Sequence, residues 1–98
     1  MTYKILITPE AELDLEDAYN WYEQQMMGLG SEFIRVVDAS FSTIQRNPFA
    51  YPIIYEKVRR KLIRKFPYGL FYIIIDERIS IIGSFHVKRD PQQWERRL

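Results

Sequence analysis

The chain has 98 residues, of which 47% are hydrophobic, so it is long enough to form one domain over residues 1–98 with a core of its own. It has no cysteine and one histidine, His86, which excludes a disulfide framework, a zinc finger, a thiol nucleophile and a histidine cluster for a metal. The net charge of +1 conceals two opposite halves: residues 1–56 carry three basic and nine acidic side chains (net −6), and residues 57–98 carry eleven and four (net +7).

The first half predicts a strand and a helical hairpin. Residues 3–7 are apolar and β-branched enough for a strand, and Thr8 and Pro9 provide an N-cap and a first helical position. An apolar stripe then follows at helical spacing, formed by Ala11, Leu15, Ala18, Tyr22 and Met26. Gly28-Leu29-Gly30 ends this helix, and Ser31 is the predicted cap of the next one. The second stripe, which ends at Asn47-Pro48, consists of Phe33, Ile34, Val37, Phe41 and Ile44.

The second half predicts three strands, Val58–Phe66, Leu70–Asp76 and Ile79–Val87, joined by short turns as an antiparallel meander. Leu70–Ile75 is an almost continuous apolar run, which is typical of a central strand covered on both faces. The prediction is therefore an α+β fold in which the helices cover one sheet face and leave the other partly open. Residues 91–97 predict a short terminal helix or an extended arm.

Alternation predicts which side chains these strands bury. In the first strand, Val58, Leu62 and Phe66 form a better core set than Ile63, which would leave Arg59, Lys61 and Lys65 outside. In the last strand the predicted buried side is Ile79, Ile81, Phe85 and Val87, and the predicted opposite side is Ser80, Ser84 and His86.

Six cations stand within nine positions of the first of these strands: Lys57, Arg59, Arg60, Lys61, Arg64 and Lys65. Charge on both faces of a strand has two explanations. Lysine and arginine protect an edge strand from aggregation, or one row of them meets phosphates or a carboxylate-rich partner.

Other candidate groups are also open to two interpretations. His86 is either a hydrogen-bonded structural residue or a general base, whereas the serines near it lack a nucleophile elbow. Gly28-Leu29-Gly30 is a turn rather than a phosphate loop, and Asp14 with Asp17 is a solvated stripe rather than an acid–base pair.

The N-terminal apolar stretch is three residues long before Pro9, too short for a secretory signal, and the longest apolar run has six residues where a membrane helix needs about 20. We therefore expect a cytoplasmic protein.

Several motifs together resemble the RelE/ParE superfamily of toxins from type II toxin–antitoxin modules. In the first half they are Ala11-Glu12-x-Asp14-Leu15, Trp21-Tyr22-Glu23, Gly28-Leu29-Gly30-Ser31-x-Phe33 and Asn47-Pro48-x-x-Tyr51-Pro52. In the second half, Val58-Arg59-Arg60, Arg64-Lys65-Phe66-Pro67-Tyr68-x-x-x-Tyr72 and His86-x-x-Arg89-Asp90-Pro91-x-x-Trp94-x-x-Arg97 resemble the ParE-like, plasmid-stabilisation members.

The resemblance implies a helical hairpin on a twisted antiparallel sheet, a cognate antitoxin and growth inhibition by the free toxin, with no cofactor or metal. RelE-like members cut messenger RNA on the ribosome, whereas ParE-like members act on DNA gyrase. Gly69 stands where many of the nucleases have an arginine, and Val87 where a tyrosine can follow the histidine. We therefore expect a gyrase-binding toxin, with two alternatives: a ribosome-dependent endoribonuclease, or an interaction module of the same fold that is no longer toxic.

Each alternative has its own candidate residues. The candidates for binding gyrase or the antitoxin are Arg59, Lys61, Lys65, Lys88, Arg89, Trp94, Arg96 and Arg97. The candidates for the nuclease are His86 as general acid or base, Arg60, Arg64 and Arg89 as phosphate clamps, and Tyr68 for stacking.

Overall fold

The computed structural model describes residues 3–88 and 95–97. Its helices are α1 (Pro9–Gln25) and α2 (Leu29–Arg46), followed by a 3₁₀ turn at Pro48–Ala50. Its strands are β1 (Lys4–Ile7), β2 (Ile53–Tyr55), β3 (Val58–Leu62), β4 (Tyr68–Ile75) and β5 (Arg78–His86). No helix in the described part of the chain is long and apolar enough to cross a membrane.

The five strands form one sheet in the order β1-β5-β4-β3-β2. β1 pairs with β5 in parallel, and the other neighbours are antiparallel. The predicted α+β fold is confirmed, with β4 in the centre as its apolar run indicates. The short edge strand β2 was not predicted, and β3 ends at Leu62 rather than at Phe66.

The helical hairpin begins as predicted and differs at its turn. The Thr8 hydroxyl accepts a hydrogen bond from the Ala11 N–H at 3.2 Å and so caps α1. The cap of α2 is Gly28, at φ +89°, rather than Ser31, because the left-handed conformation at Gly28 lets the helix begin three residues earlier. The Glu23 carboxylate accepts from the N–H groups of Gly28 and Gly30, at 3.0 and 2.9 Å. These hydrogen bonds, that from Gly28 first, lower the pKa of Glu23.

The main core lies between the hairpin and the sheet. The helical hydrophobic residues buried in it are Ala11, Leu15, Ala18, Tyr22, Phe33, Val37 and Ile44. Of the other residues in the predicted stripes, Ile34 and Phe41 are partly buried against this core, whereas Met26, just after the end of α1, is 63% exposed. The sheet and the turn between β3 and β4 contribute Ile63, Phe66, Leu70, Tyr72, Ile79 and Ile81.

The opposite sheet face carries a smaller apolar cluster of Val58, Phe71, Ile82 and Phe85. The predicted sides of β3 and β5 were therefore partly wrong. Ile63 is buried under the helices and Leu62 is 51% exposed, since β3 ends at Leu62 and the turn redirects the next residues.

In β5 the prediction placed Phe85 on the side of Ile79 and Ile81. The register shifts so that Phe71 pairs with Gly83 and Tyr72 with Ile81, leaving Ile82 without a partner in β4. Such a bulge reverses the alternation. Phe85 consequently faces away from the helices, and Val87, beyond the strand, is 51% exposed.

Candidate functional site

The cations of the basic segment, residues 57–65, do not share one face. Arg59 is tied to the loop before β2: its Nη1 donates to the carbonyl oxygens of Phe49 and Tyr51, at 3.3 and 2.7 Å. Its guanidinium also lies 5.2 Å from the centre of the Phe49 ring. Arg59 therefore stabilises the loop that carries the 3₁₀ turn through its Nη1 and its ring contact.

Three other cations of this segment meet an arginine of α2. Lys61, Arg64 and Lys65 line a groove of about 440 Å³ together with Arg35. We call these four residues and the space between them the cationic groove. One carboxylate, Glu32, lies in it and forms an ion pair with the Lys65 ammonium, which lowers the pKa of Glu32.

Arg60 lies on the opposite face of the sheet. Its aliphatic stem crosses Gly69, where a Cβ would lie 3.1 Å from the Arg60 Cγ. Its Nε is buried and has no hydrogen-bond partner among the described residues. The absence of a side chain at Gly69 thus leaves space for the stem of Arg60.

A second groove, of about 650 Å³, lies between α1 and the ends of β4 and β5. Its lining includes Asp14, Asp17, Trp21, Tyr68 and His86, and we call it the acidic-aromatic groove. The rings of Tyr68 and His86 meet edge to face with centroids 5.4 Å apart. The His86 Nδ1 accepts a hydrogen bond from the Lys88 N–H at 3.1 Å, so this nitrogen is used within the chain.

Asp14 ties three parts of the molecule together at the rim of this groove. Its Oδ2 accepts from the Ser84 N–H at 3.0 Å, and both its oxygens accept from the guanidinium of Arg97. The sequence interpretation of Asp14 as a solvated carboxylate was wrong. The available signal was its place three residues after Ala11 and four before Ala18, at the border of the buried stripe.

A family model for the ParE toxin of the type II toxin–antitoxin system parDE matches residues 5–91. The chain belongs to the ParE toxin family. No curated protein matches the chain significantly.

Two solved structures share the fold of this ParE-family toxin. One is from the chromosomal ParDE system of P. aeruginosa, with a TM-score of 0.78 at 15% identity, covering 87% of this chain and 96% of that one. The other is from the RelBE2 toxin–antitoxin complex of Mycobacterium tuberculosis, with a TM-score of 0.62 at 22% identity, covering 88% and 99%. The predicted membership of the RelE/ParE superfamily is confirmed.

The predicted site residues of this ParE-family toxin lie at separate places in the structure. Tyr68 and His86 meet in the acidic-aromatic groove, Arg64 lies in the cationic groove, and Arg60 lies on the other sheet face. Of the predicted binding residues, Lys61 and Lys65 share the cationic groove. Arg59 and Arg97 are engaged within the chain, and Lys88 and Arg96 are exposed.

Two predicted residues, Arg89 and Trp94, lie outside the described residues. Arg35 was missed by the sequence reasoning, which treated α2 as part of the scaffold; its position three residues after Glu32 on an exposed helix face was the available signal. Among the described residues, no group of three or more histidine or carboxylate side chains is placed to hold a metal ion.

Proposed function

We propose that this toxin, acting as a single domain in the cytoplasm, inhibits bacterial growth by binding DNA gyrase or gyrase-bound DNA through its cationic groove. A cognate antitoxin neutralises it, as the family's description as one half of a toxin–antitoxin system implies. Growth arrest by a toxin released from its antitoxin would stabilise a plasmid that carries the pair.

The observation that carries this proposal is the distribution of the cations. Stabilising a phosphoryl-transfer transition state requires positive groups preorganised around one phosphate. Here Arg60, Arg64 and His86 lie on a sheet face, in the cationic groove and in the acidic-aromatic groove, respectively. This separation favours binding over strand cleavage.

The cationic groove supports a binding role by its charge and exposure. It combines four cations with one carboxylate, and Arg35, Arg64 and Lys65 are exposed. Such a surface attracts a polyanion or a carboxylate-rich protein, with an affinity that falls as salt rises. The antitoxin is then expected to be acidic or amphipathic where it crosses this groove.

The test is a gyrase supercoiling assay with the purified toxin. We expect supercoiling to stop and gyrase–DNA cleavage complexes to accumulate, and we expect His86→Ala to act like the wild type. Supercoiling and cleavage-complex levels that stay unchanged at high toxin excess would refute the proposal.

One observation favours a second candidate, a ribosome-dependent endoribonuclease: Tyr68 and His86 are in ring contact at the same groove. Its test is cleavage of ribosome-bound message. Cutting by the wild type and loss of toxicity in His86→Ala would support the nuclease, whereas intact message would exclude it. Growth arrest on induction without the antitoxin would exclude the non-toxic alternative.

A further inference from the structure

Beside the acidic-aromatic groove, at the Asp14 carboxylate, the chain holds the guanidinium of Arg97, and we call this position the guanidinium seat. The Arg97 Nη2 donates to the Asp14 Oδ1 at 3.1 Å, and its Nη1 donates to Asp14 Oδ2 and, at 3.1 Å, to the Ile82 carbonyl oxygen. The guanidinium carbon lies 4.6 Å from the centre of the Phe85 ring. A paired carboxylate, a carbonyl and a ring face are together the chemistry that distinguishes arginine from lysine.

Residues other than Arg97 also define the shape of this seat. The Ser84 N–H holds the Asp14 carboxylate from the β5 edge, beyond the last pair that β1 makes with β5, Ile7 with Ile81. Gly83 provides the space: a Cβ there would lie 2.6 Å from a Phe85 ring atom and 3.0 Å from the Arg97 Nη1. A side chain at position 83 would therefore close the seat.

The groove that adjoins the seat presents groups that could contact a ligand: a hydroxyl, an indole and a second carboxylate. Ser84 is 3% exposed, lines the groove, and its Oγ has no hydrogen-bond partner among the described residues. The indole of Trp21 is 56% exposed, and Asp17, one helical turn before it, adds a second carboxylate. A buried hydroxyl without a partner is costly, and a polar ligand group entering the groove would supply one.

We propose that this seat receives an arginine side chain of the antitoxin, whose flanking residues lie in the adjoining groove, and that Arg97 occupies the seat within the free toxin. The groove lining carries two carboxylates, Asp14 and Asp17, against one lysine, Lys88. This charge attracts a basic polypeptide segment and repels nucleic-acid phosphates, so the ligand is an arginine with its flanking residues. The antitoxin displaces Arg97 when it binds. The existence of an antitoxin comes from the proposed function, but gyrase has no part in this proposal.

The probe for this seat is L-arginine amide, with L-lysine amide at equal ionic strength as the matched ligand. In Arg97→Ala, arginine amide should bind saturably and raise the melting temperature. The wild type should need about tenfold more of it, because Arg97 competes for the seat. Arg97→Lys keeps the positive charge but lacks the planar guanidinium, so it should also bind arginine amide. This variant replaces Arg97→Ala in the test if the alanine variant does not fold.

Two controls define the outcome. Arg78→Ala, which removes an exposed cation of β5 outside both grooves, should respond to arginine amide like the wild type, and adding Asp14→Asn to Arg97→Ala should remove the response. The proposal is overturned if neither Arg97 variant responds, if lysine amide acts equally well, or if Asp14→Asn leaves the response intact. The result of the gyrase supercoiling assay does not depend on this outcome, so the two proposals can fail separately.

Discussion

The two grooves differ in what their charges do. At the rim of the acidic-aromatic groove, Asp14 and Arg97 bind each other and the backbone of β5, and their side chains are 13% and 25% exposed. In the cationic groove the single ion pair among the described side chains joins Glu32 to Lys65, with exposures of 33% and 59%. The Asp14–Arg97 pair therefore connects α1, β5 and Arg97, whereas Arg35, Arg64 and Lys65 of the cationic groove are exposed.

The largest effect on stability is expected from Asp14→Ala. It removes the acceptor for the Ser84 N–H and for Arg97 and leaves a partly buried guanidinium unpaired. Since hydrogen bonds to charged groups contribute about 1.5–3 kcal/mol each, we expect a loss of about 2–3 kcal/mol in the free energy of unfolding. Urea titration measures it.

Asp17→Ala is the matched control, because Asp17 is an exposed carboxylate on the same helix and groove. It should change stability by no more than about 0.5 kcal/mol. Equal effects of the two variants would show that the Asp14 contacts are not what stabilises this side of the molecule.

An intermediate effect is expected at Tyr72, which lies fully buried in the sheet near Arg59. Its Oη donates to the Pro48 carbonyl oxygen at 2.6 Å and so holds the loop on the side of the cationic groove. Tyr72→Phe should cost about 1–3 kcal/mol, because a buried carbonyl loses its partner. Thermal unfolding at pH 7 measures this loss.

Tyr72 also predicts an alkaline limit to stability. Burial raises the pKa of Tyr72 from 10.0 to about 12. A pKa raised in the folded state contributes stability that is complete below pH 10 and is lost as the pH rises from 10 to 12. Tyr72→Phe should therefore be less sensitive than the wild type to pH across this window, and an equal slope for both proteins would contradict the assignment.

The smallest effect is expected from Glu32→Gln in the cationic groove. Exposed ion pairs contribute little, so unfolding at pH 7 should be unchanged within error. The hydrogen bond and charge of Lys65 lower the pKa of Glu32, so its contribution is present above pH 4.5 and is lost as the pH falls below that value. A marked loss of stability at pH 7 would mean that this groove, too, is structural.

The sequence predicted the elements well because their signals are local. Helical periodicity, the Thr8-Pro9 start and the Gly28–Gly30 break define the hairpin, and the run at 70–75 defines the central strand. The side chains that β3 and β5 turn toward the helices were harder to predict, because the bulge at Ile82 and the early end of β3 depend on pairing between strands. A period-2 pattern carries no record of such a register shift.

The site was predicted less completely for a similar reason. Lys61, Arg64 and Lys65 are close in sequence and line the same groove, but the fourth cation of that groove, Arg35, comes from α2. The Asp14–Arg97 pair joins residues 83 positions apart, and neither residue type nor spacing indicates such a contact. Side chains brought together by the fold are visible only once the fold is known.

The central claim is that the cationic groove binds gyrase, and charge reversal tests it most directly. Arg35→Glu/Arg64→Glu reverses two exposed cations of the groove, and Lys4→Glu/Arg78→Glu reverses two exposed cations at paired positions of β1 and β5. Both double variants change the net charge equally. A difference between the concentrations of the two variants that halve gyrase supercoiling therefore reports the contribution of the groove itself. We predict a rise of at least about tenfold for the groove variant, equivalent to about 1.4 kcal/mol, and none for the other. Equal inhibition by both variants, or an equal loss in both, would contradict the account.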